Sequence, residues 1–280
     1  MCVRIIVDSS TDVSEKYREK IQFVPLTVRF GDKEYLDGVE LSKHQFYEML
    51  VESDVLPTTS QATPAAFEKV FREVAAAGDS AVVITLASQL SGTSQSARIA
   101  AEDYDNIYVV DSGSVTLGTG ILAEYALRCA CSGMEASRIA ELLEKKKEDV
   151  CLIAMLDTLE YLKKGGRISA AVAFAGGLLN IKPVVNVKDG VIHMLGKARG
   201  SKQGSNLLAQ EIGKTGGIDF GLPILLGYSG LSDTLLKKYI TDSAPLWEGS
   251  VDTLRYTSIG SVVGTHAGPG AIAAAFFRKP

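Results

Sequence analysis

The 280-residue sequence is sparing in the residues that usually announce metal or redox chemistry. It has three histidines and four cysteines, the latter at positions 2, 129, 131 and 151. Cys129 and Cys131 would fall on different faces of one helix, and no histidine stands at zinc-ligand spacing. Neither a zinc site nor a disulfide framework is expected, and the cysteines read as reduced thiols. A basic excess is also missing. The net charge is −4, which argues against a nucleic-acid binder, and no polybasic run marks a membrane-surface protein. No stretch reaches the roughly 18 uninterrupted apolar residues of a membrane span, so stable membrane insertion is not expected. The opening Met1-Cys2-Val3-Arg4-Ile5-Ile6-Val7 is too short an apolar run for a signal peptide, and a cytoplasmic location is the expectation. The Gly-x-x-x-x-Gly-Lys-[Ser/Thr] phosphate loop and the Gly-x-Ser-x-Gly nucleophile elbow are both absent.

The chain is rich in core-forming residues, with an apolar content of 46%. At this length the prior leans towards two domains, which we place at 1–149 and 150–280. In the first, a strand from Arg4 to Val7 runs into the polar turn Asp8-Ser9-Ser10-Thr11-Asp12. Gly31-Asp32-Lys33 divides a hairpin, Ser42-Lys43-His44-Gln45 is a capping box, and Thr63-Pro64 opens a helix that Gly78 closes. The run Ala81 to Leu86 reads as a strand buried on both faces, with a helix from Thr93, a strand from Ile107 to Val110 and a helix from Gly120 to Cys131 after it. This alternation predicts an α/β domain with a mostly parallel sheet and helices on both faces. Past residue 150, hairpin and helix signals mix. Strands are expected at Cys151 to Met155, Lys182 to Val187, Val191 to Met194, Leu222 to Gly227 and Thr253 to Thr257, with helices near 201–214 and 231–241. That mixture predicts an α+β domain. The helix from Glu135 to Glu148 is a candidate bridge.

Four segments could carry chemistry. Leu86 to Ala97 lies between a buried strand and a helix, where ligands gather in open α/β sheets. A helix N-terminus there offers free N–H groups to an anion. Gly92 permits close backbone approach, and the hydroxyls of Ser91 and Thr93 add donors. The plainer alternative is a serine N-cap kept for stability alone. Thr58-Thr59-Ser60-Gln61 is a second hydroxyl cluster, or an ordinary loop. His266 stands in a glycine-rich run, Gly260 to Gly270, that could leave its ring open to a ligand, whereas His44 and His193 read as structural or exposed. In Lys163-Lys164-Gly165-Gly166-Arg167 the lysines can offset the negative end of a short helix from Asp157 to Leu162 and Gly165 can cap it. Arg167 lies beyond the cap and is less easily explained that way. Arg199 and Lys202 form a smaller basic group. Two hydroxyl loops, one histidine and one arginine suggest a carboxylate or phosphate site and not a metal site.

In order along the chain, these motifs resemble those of the DegV family, the fatty-acid-binding proteins that serve bacterial fatty acid kinase. The resemblance rests on Val7-Asp8-Ser9-Ser10-Thr11-Asp12, Thr59-Ser60-Gln61, Leu90-Ser91-Gly92-Thr93 with Gln95-Ser96-Ala97, Leu159 through Ile168, and His266-Ala267-Gly268-Pro269-Gly270. It implies a two-domain α/β fold with a long-chain fatty acid between the domains and no metal or cofactor. The carboxylate would be held at Thr59, Ser91 and His266, with Ser60 and Gly92 beside them. Arg167 would serve the acyl-phosphate step with a separate fatty acid kinase. The sequence departs from the family's usual pattern at Ala62, often Pro, and Ser94, often Tyr. A change at Ser94 is expected to alter packing and hence chain-length preference.

The energetics suit that reading. Burying a dozen methylenes is worth on the order of 10 kcal/mol gross, and ordering chain and protein takes back much of it. The charged head then needs several hydrogen bonds. The small residues of 168–179 and 260–275 could line an acyl tunnel or serve tight helix packing. The competing expectation is a serine hydrolase using Ser91 and His266.

Overall fold

A computed structural model describes residues 2–168 and 180–279. Its first sheet has four parallel strands in the order Gln22–Val24, Val3–Asp8, Ser80–Thr85, Ile107–Asp111. These strands are apolar on both sides, so both faces need cover. Ile5, Val7, Val82 and Ile84 pack with the helices Leu117–Cys131 and Ala136–Lys146. Ile6, Ala81 and Val83 pack with Pro64–Ala76 and Thr93–Ala101. The expected parallel sheet with helices on both faces is therefore present.

The chain moves to one side of Val3–Asp8 for Gln22–Val24 and to the other for Ser80–Thr85. Such a reversal opens a crevice at the strands' carboxyl ends. Asp8 closes the base of that crevice. Its buried carboxylate accepts from Ser10 N (3.0 Å) and Leu86 N (2.7 Å), tying the two flanking loops together. Burial outweighs these hydrogen bonds and raises its pKa to about 6.

The second sheet has six strands in the order Val191–Arg199, Ile181–Lys188, Val150–Met155, Ile272–Phe277, Leu225–Tyr228, Tyr256–Ser258. All neighbours are antiparallel except the last pair. The helices Gly200–Gly213 and Thr234–Asp242 share a core with one of its faces. The helix Leu117–Cys131 takes the other, so it lies between both sheets. That position explains why it is buried on nearly every side. A Cβ on its Gly120 would overlap the Asp12 carbonyl, so only glycine permits this approach. A small antiparallel sheet, Lys33–Leu36, Thr27–Phe30 and Thr58–Ser60, completes the fold. Strands before residue 150 lie in the parallel and three-stranded sheets and those after it in the six-stranded one. On that ground we propose the domain boundary at 149/150.

Local signals performed as physics requires. Ser42 and Gln45 form a reciprocal capping box, and Thr63 caps a helix with Pro64 at its start. Asp189 and Gly190 take positive φ (52° and 73°) between paired strands, as a tight hairpin demands.

Several expectations need correction. Thr58–Ser60 is a strand and not a loop. His266 lies in the last turn of a helix, Ser261–Ala267, and is partly buried rather than open among glycines. The strands Gln22–Val24 and Ile272–Phe277 were not anticipated. The strand expected from Leu222 starts at Leu225, and the short helix expected from Asp157 is Glu160–Lys164. The expected bridge, Ala136–Lys146, packs onto the parallel sheet through Ala136, Ile139 and Leu143 before the chain turns into Val150–Met155. Of the small-residue stretch 168–179, residues 169–179 lie outside the described residues. No described helix is long and apolar enough to cross a membrane.

Candidate functional site

Between the two sheets lies a cavity enclosing about 930 Å³ of empty space, its mouth included. Leu26, Leu86 and Val115 line it from the N-terminal elements, and Leu152, Ala154, Val185, Ala271 and Ala273 from the six-stranded sheet. Val262, Val263 and Ala267 of the Ser261–Ala267 helix line it too, while Gly264 of that helix packs against Phe46 and Tyr47. Of the small residues of 260–275, Ala267, Ala271 and Ala273 thus line the cavity, while Gly264 serves tight packing.

The polar groups gather where the sheets' loops meet. Thr59 is carried in by its strand pairing, Val28 to Thr59, and His266 by its helix. Thr59 Oγ1 and His266 Nε2 lie 2.9 Å apart, joining residues 207 positions apart in the chain. Ser91 sits in the turn before the Thr93–Ala101 helix, its Oγ 2.9 Å from Thr93 Oγ1. Gly92 is the N-cap, and a Cβ there would overlap the Gln61 side chain. A side chain at Gly92 would have to push the end of Gln61 aside, and the glycine's φ is an ordinary one. Thr59, Ser60, Ser91, Arg167 and His266 all line the cavity. Gly92 follows Ser91 in the chain and does not itself line the cavity.

His266 Nδ1 is buried with no hydrogen-bond partner among the described residues, and it faces Gly165 so closely that a Cβ on Gly165 would overlap it. A proton on Nδ1 would therefore be a buried, unsatisfied donor. The network assigns the proton to Nε2, which donates to Thr59 Oγ1 and leaves the Thr59 hydroxyl hydrogen to point elsewhere. Burial, with a smaller contribution from the nearby Arg167 charge, lowers the imidazole pKa to about 4. At neutral pH the ring is a neutral donor.

Arg167 is less free than its position past a helix cap suggested. Its Nε donates to Leu90 O (3.2 Å) and its Nη1 to Gly165 O (2.7 Å), so it bridges the turn before Ser91 and the end of the Glu160–Lys164 helix. The remaining guanidinium N–H groups keep a positive charge at the cavity wall.

The hydrolase expectation does not survive this geometry. No hydrogen bond joins Ser91 to His266. Each bonds a threonine instead, and among the described residues no carboxylate orients His266 through Nδ1. Gln61, quoted in the hydroxyl cluster but given no role from the sequence, lines the cavity and donates through Nε2 to Ser96 Oγ (2.9 Å). The close fit of Gln61 on Gly92 left no sequence signal, because the two meet only in space. Ser94 is buried and not part of the cavity lining, its hydroxyl without a partner among the described residues, and Ala62 is buried as well.

The chain matches the model of the DegV family over residues 2–279. A DegV domain-containing protein of Caldanaerobacter subterraneus is 34% identical over 283 residues, covering 99% of both chains. Among solved structures, a fatty-acid-binding DegV family protein from Thermus thermophilus superposes with a TM-score of 0.87 at 28% identity, covering 99% of this chain and 100% of that one. A stearic-acid-binding protein from Eubacterium ventriosum gives 0.84 at 29% identity, covering 100% and 99%. DegV from Bacillus subtilis, a fatty acid binding protein, gives 0.79 at 29% identity over the whole of both chains. The chain belongs to the DegV family.

Proposed function

We propose that the protein binds one long-chain fatty acid, its acyl chain in the cavity between the sheets and its carboxylate at Thr59, Ser91 and His266, with Ser60 and Gly92 beside it. The carrying observation is the pairing of an apolar cavity with a polar mouth in which Thr59 and His266, far apart in sequence, are already hydrogen-bonded. The alkyl chain supplies burial energy. The carboxylate, which only accepts, requires the donors that the mouth supplies. Neutral donors suit binding without capture, because they satisfy the head group without forming a buried ion pair that would be hard to open. The fatty-acid-binding structures similar to this chain support the reading.

The protein is then a carrier that presents the carboxylate to a separate fatty acid kinase. Arg167, at the cavity wall with part of its guanidinium uncommitted, would hold the added charge of the acyl phosphate by forked contacts. The test uses protein purified from a bacterial host, denatured, extracted and examined by mass spectrometry. Near-stoichiometric fatty acid is expected. A sample without it, which also fails to bind added palmitate or oleate, would sink the carrier reading. Arg167→Ala should keep its lipid while losing most kinase-coupled ATP turnover, with Arg167→Lys recovering only part. If Arg167→Ala arrives empty, the arginine belongs to lipid binding and not to handover.

A further inference from the structure

Every hydrogen of the Ser91–Thr93 pair can be accounted for. Thr93 is wholly buried at the start of its helix. Its backbone N–H points at Ser91 Oγ (3.3 Å), and its Oγ1 lies 2.9 Å from the same atom. Distance alone does not say which hydroxyl donates. Burial does. If Ser91 donated to Thr93, the Thr93 hydrogen would need another acceptor, and among the described residues Thr93 Oγ1 has no partner except Ser91. A buried hydroxyl hydrogen left unpaired is costly. Thr93 therefore donates twice to Ser91, once from its backbone and once from its side chain. A hydroxyl oxygen has two lone pairs and one hydrogen. With both lone pairs engaged, Ser91 keeps only its hydrogen, and it lines the cavity.

Thr59 is filled only in part, since His266 Nε2 donates to one lone pair of its hydroxyl and leaves the other lone pair and the hydrogen free. Ser91 is thus the hydroxyl that its partner turns into a donor. An unconstrained serine or threonine can give or take a hydrogen bond and discriminates little between head groups.

We propose that Thr93 is a positioning residue that fills both lone pairs of Ser91 Oγ, so that Ser91 meets a ligand only as a donor and favours a head group whose oxygens only accept. This rests on the fatty-acid reading and names the chemistry of its selectivity: an ionised carboxylate over an alcohol or primary amide on the same alkyl chain. At Ser91 a donor–acceptor head group can use only its acceptor, unless it breaks a hydrogen bond behind the serine.

The experiment compares lipid-free wild type, Thr93→Val and Thr93→Ser, each titrated with palmitate, palmitamide and hexadecanol. Valine keeps the shape and the backbone N–H but removes the hydroxyl, so Ser91 regains a lone pair. Wild type should prefer palmitate strongly. In Thr93→Val the preference should fall about tenfold, the scale of one hydrogen bond, mostly through weaker palmitate binding. Thr93→Ser should restore it. A merely structural role would weaken all three ligands together and leave their ratios unchanged, and that outcome overturns the proposal. So does a Thr93→Val protein that folds and keeps the wild-type preference. If Thr93→Val does not fold, the ratios are read from Thr93→Ser against Thr93→Ala, where only the alanine variant should lose the preference. Failure of wild type to bind palmitate at all would instead refute the fatty-acid reading.

Discussion

Two polar junctions join the N-terminal elements to the segment that runs from Arg255 to His266, and they differ in how completely they satisfy themselves. At the first, the buried Asp12 carboxylate receives Lys43 Nζ (2.6 Å), Thr116 Oγ1 (2.6 Å) and Gly260 N (3.1 Å), while Lys43 also donates to Ser258 O (2.5 Å). Close by, Tyr47 donates to Ile259 O, and Arg255 reaches the buried Glu124. At the second, Thr59 meets His266 and Ser91 meets Thr93, and with the donors argued above the Thr59 and Ser91 hydroxyls each keep a hydrogen with no acceptor among the described residues. The first junction spends its hydrogen bonds internally and holds the structure together. The second leaves capacity for an outside acceptor. A satisfied polar network gives position, and an incompletely satisfied one beside an apolar cavity gives binding.

The comparison breaks most visibly at Asp12. Asp12→Ala would strand the Lys43 ammonium, the Thr116 hydroxyl and the Gly260 N–H at a buried seam. A loss of about 3 kcal/mol or more in unfolding free energy is expected, read from urea midpoints on lipid-free protein. A change below about 0.5 kcal/mol, the range of ordinary surface substitutions, would show that the junction is not what fixes the Ser261–Ala267 helix.

Ser91→Ala should reverse the pattern. Palmitate affinity should fall by about 1–3 kcal/mol, the cost of leaving a charged acceptor short of a donor. The lipid-free unfolding midpoint should move far less than in Asp12→Ala. Equal losses in folding for both variants would erase the distinction between a holding and a binding junction.

A further test concerns pH. His266 is held neutral in the fold, with its pKa lowered to about 4 from the ordinary 6.5. Between those values the unfolded chain binds the proton more readily than the folded one, so stability falls as pH falls. The stability difference between wild type and His266→Gln should be level above about pH 6.5 and shrink as the pH drops towards 4. A difference that grows on acidification would mean that the imidazolium is the form the fold prefers.

Much of this architecture was legible from local chemistry. Ser42 with Gln45, Thr63 with Pro64, and Asp189 with Gly190 act on their own backbone within a few residues, and each does in space what its type dictates. The parallel sheet followed from runs such as Ala81 to Leu86, which are apolar but for Thr85 and so need cover on both faces. The candidate site residues had another source, the resemblance of their order along the chain to that of a known family. Where reasoning went astray, the deciding partner was remote. Thr58–Ser60 has no strand signal of its own and becomes one by pairing with Thr27–Phe30. Ile272–Phe277, with its three alanines, is a weak strand former made central by Val150–Met155 on one side and Leu225–Tyr228 on the other.

The sequence by itself determined the caps, the hairpin turns, the alternation of strand and helix, and the presence of hydroxyls, a histidine and an arginine able to meet an anion. These depend on backbone preferences and side-chain inventories that travel with each residue. Only the tertiary structure decided that His266 rides on a helix, that its bare Nδ1 faces Gly165, that Gln61 lies on Gly92, and that Thr93 stands behind Ser91 as its donor. A hydrogen bond's direction depends on what else each partner can reach. For buried groups brought together across 200 residues, that is set by packing.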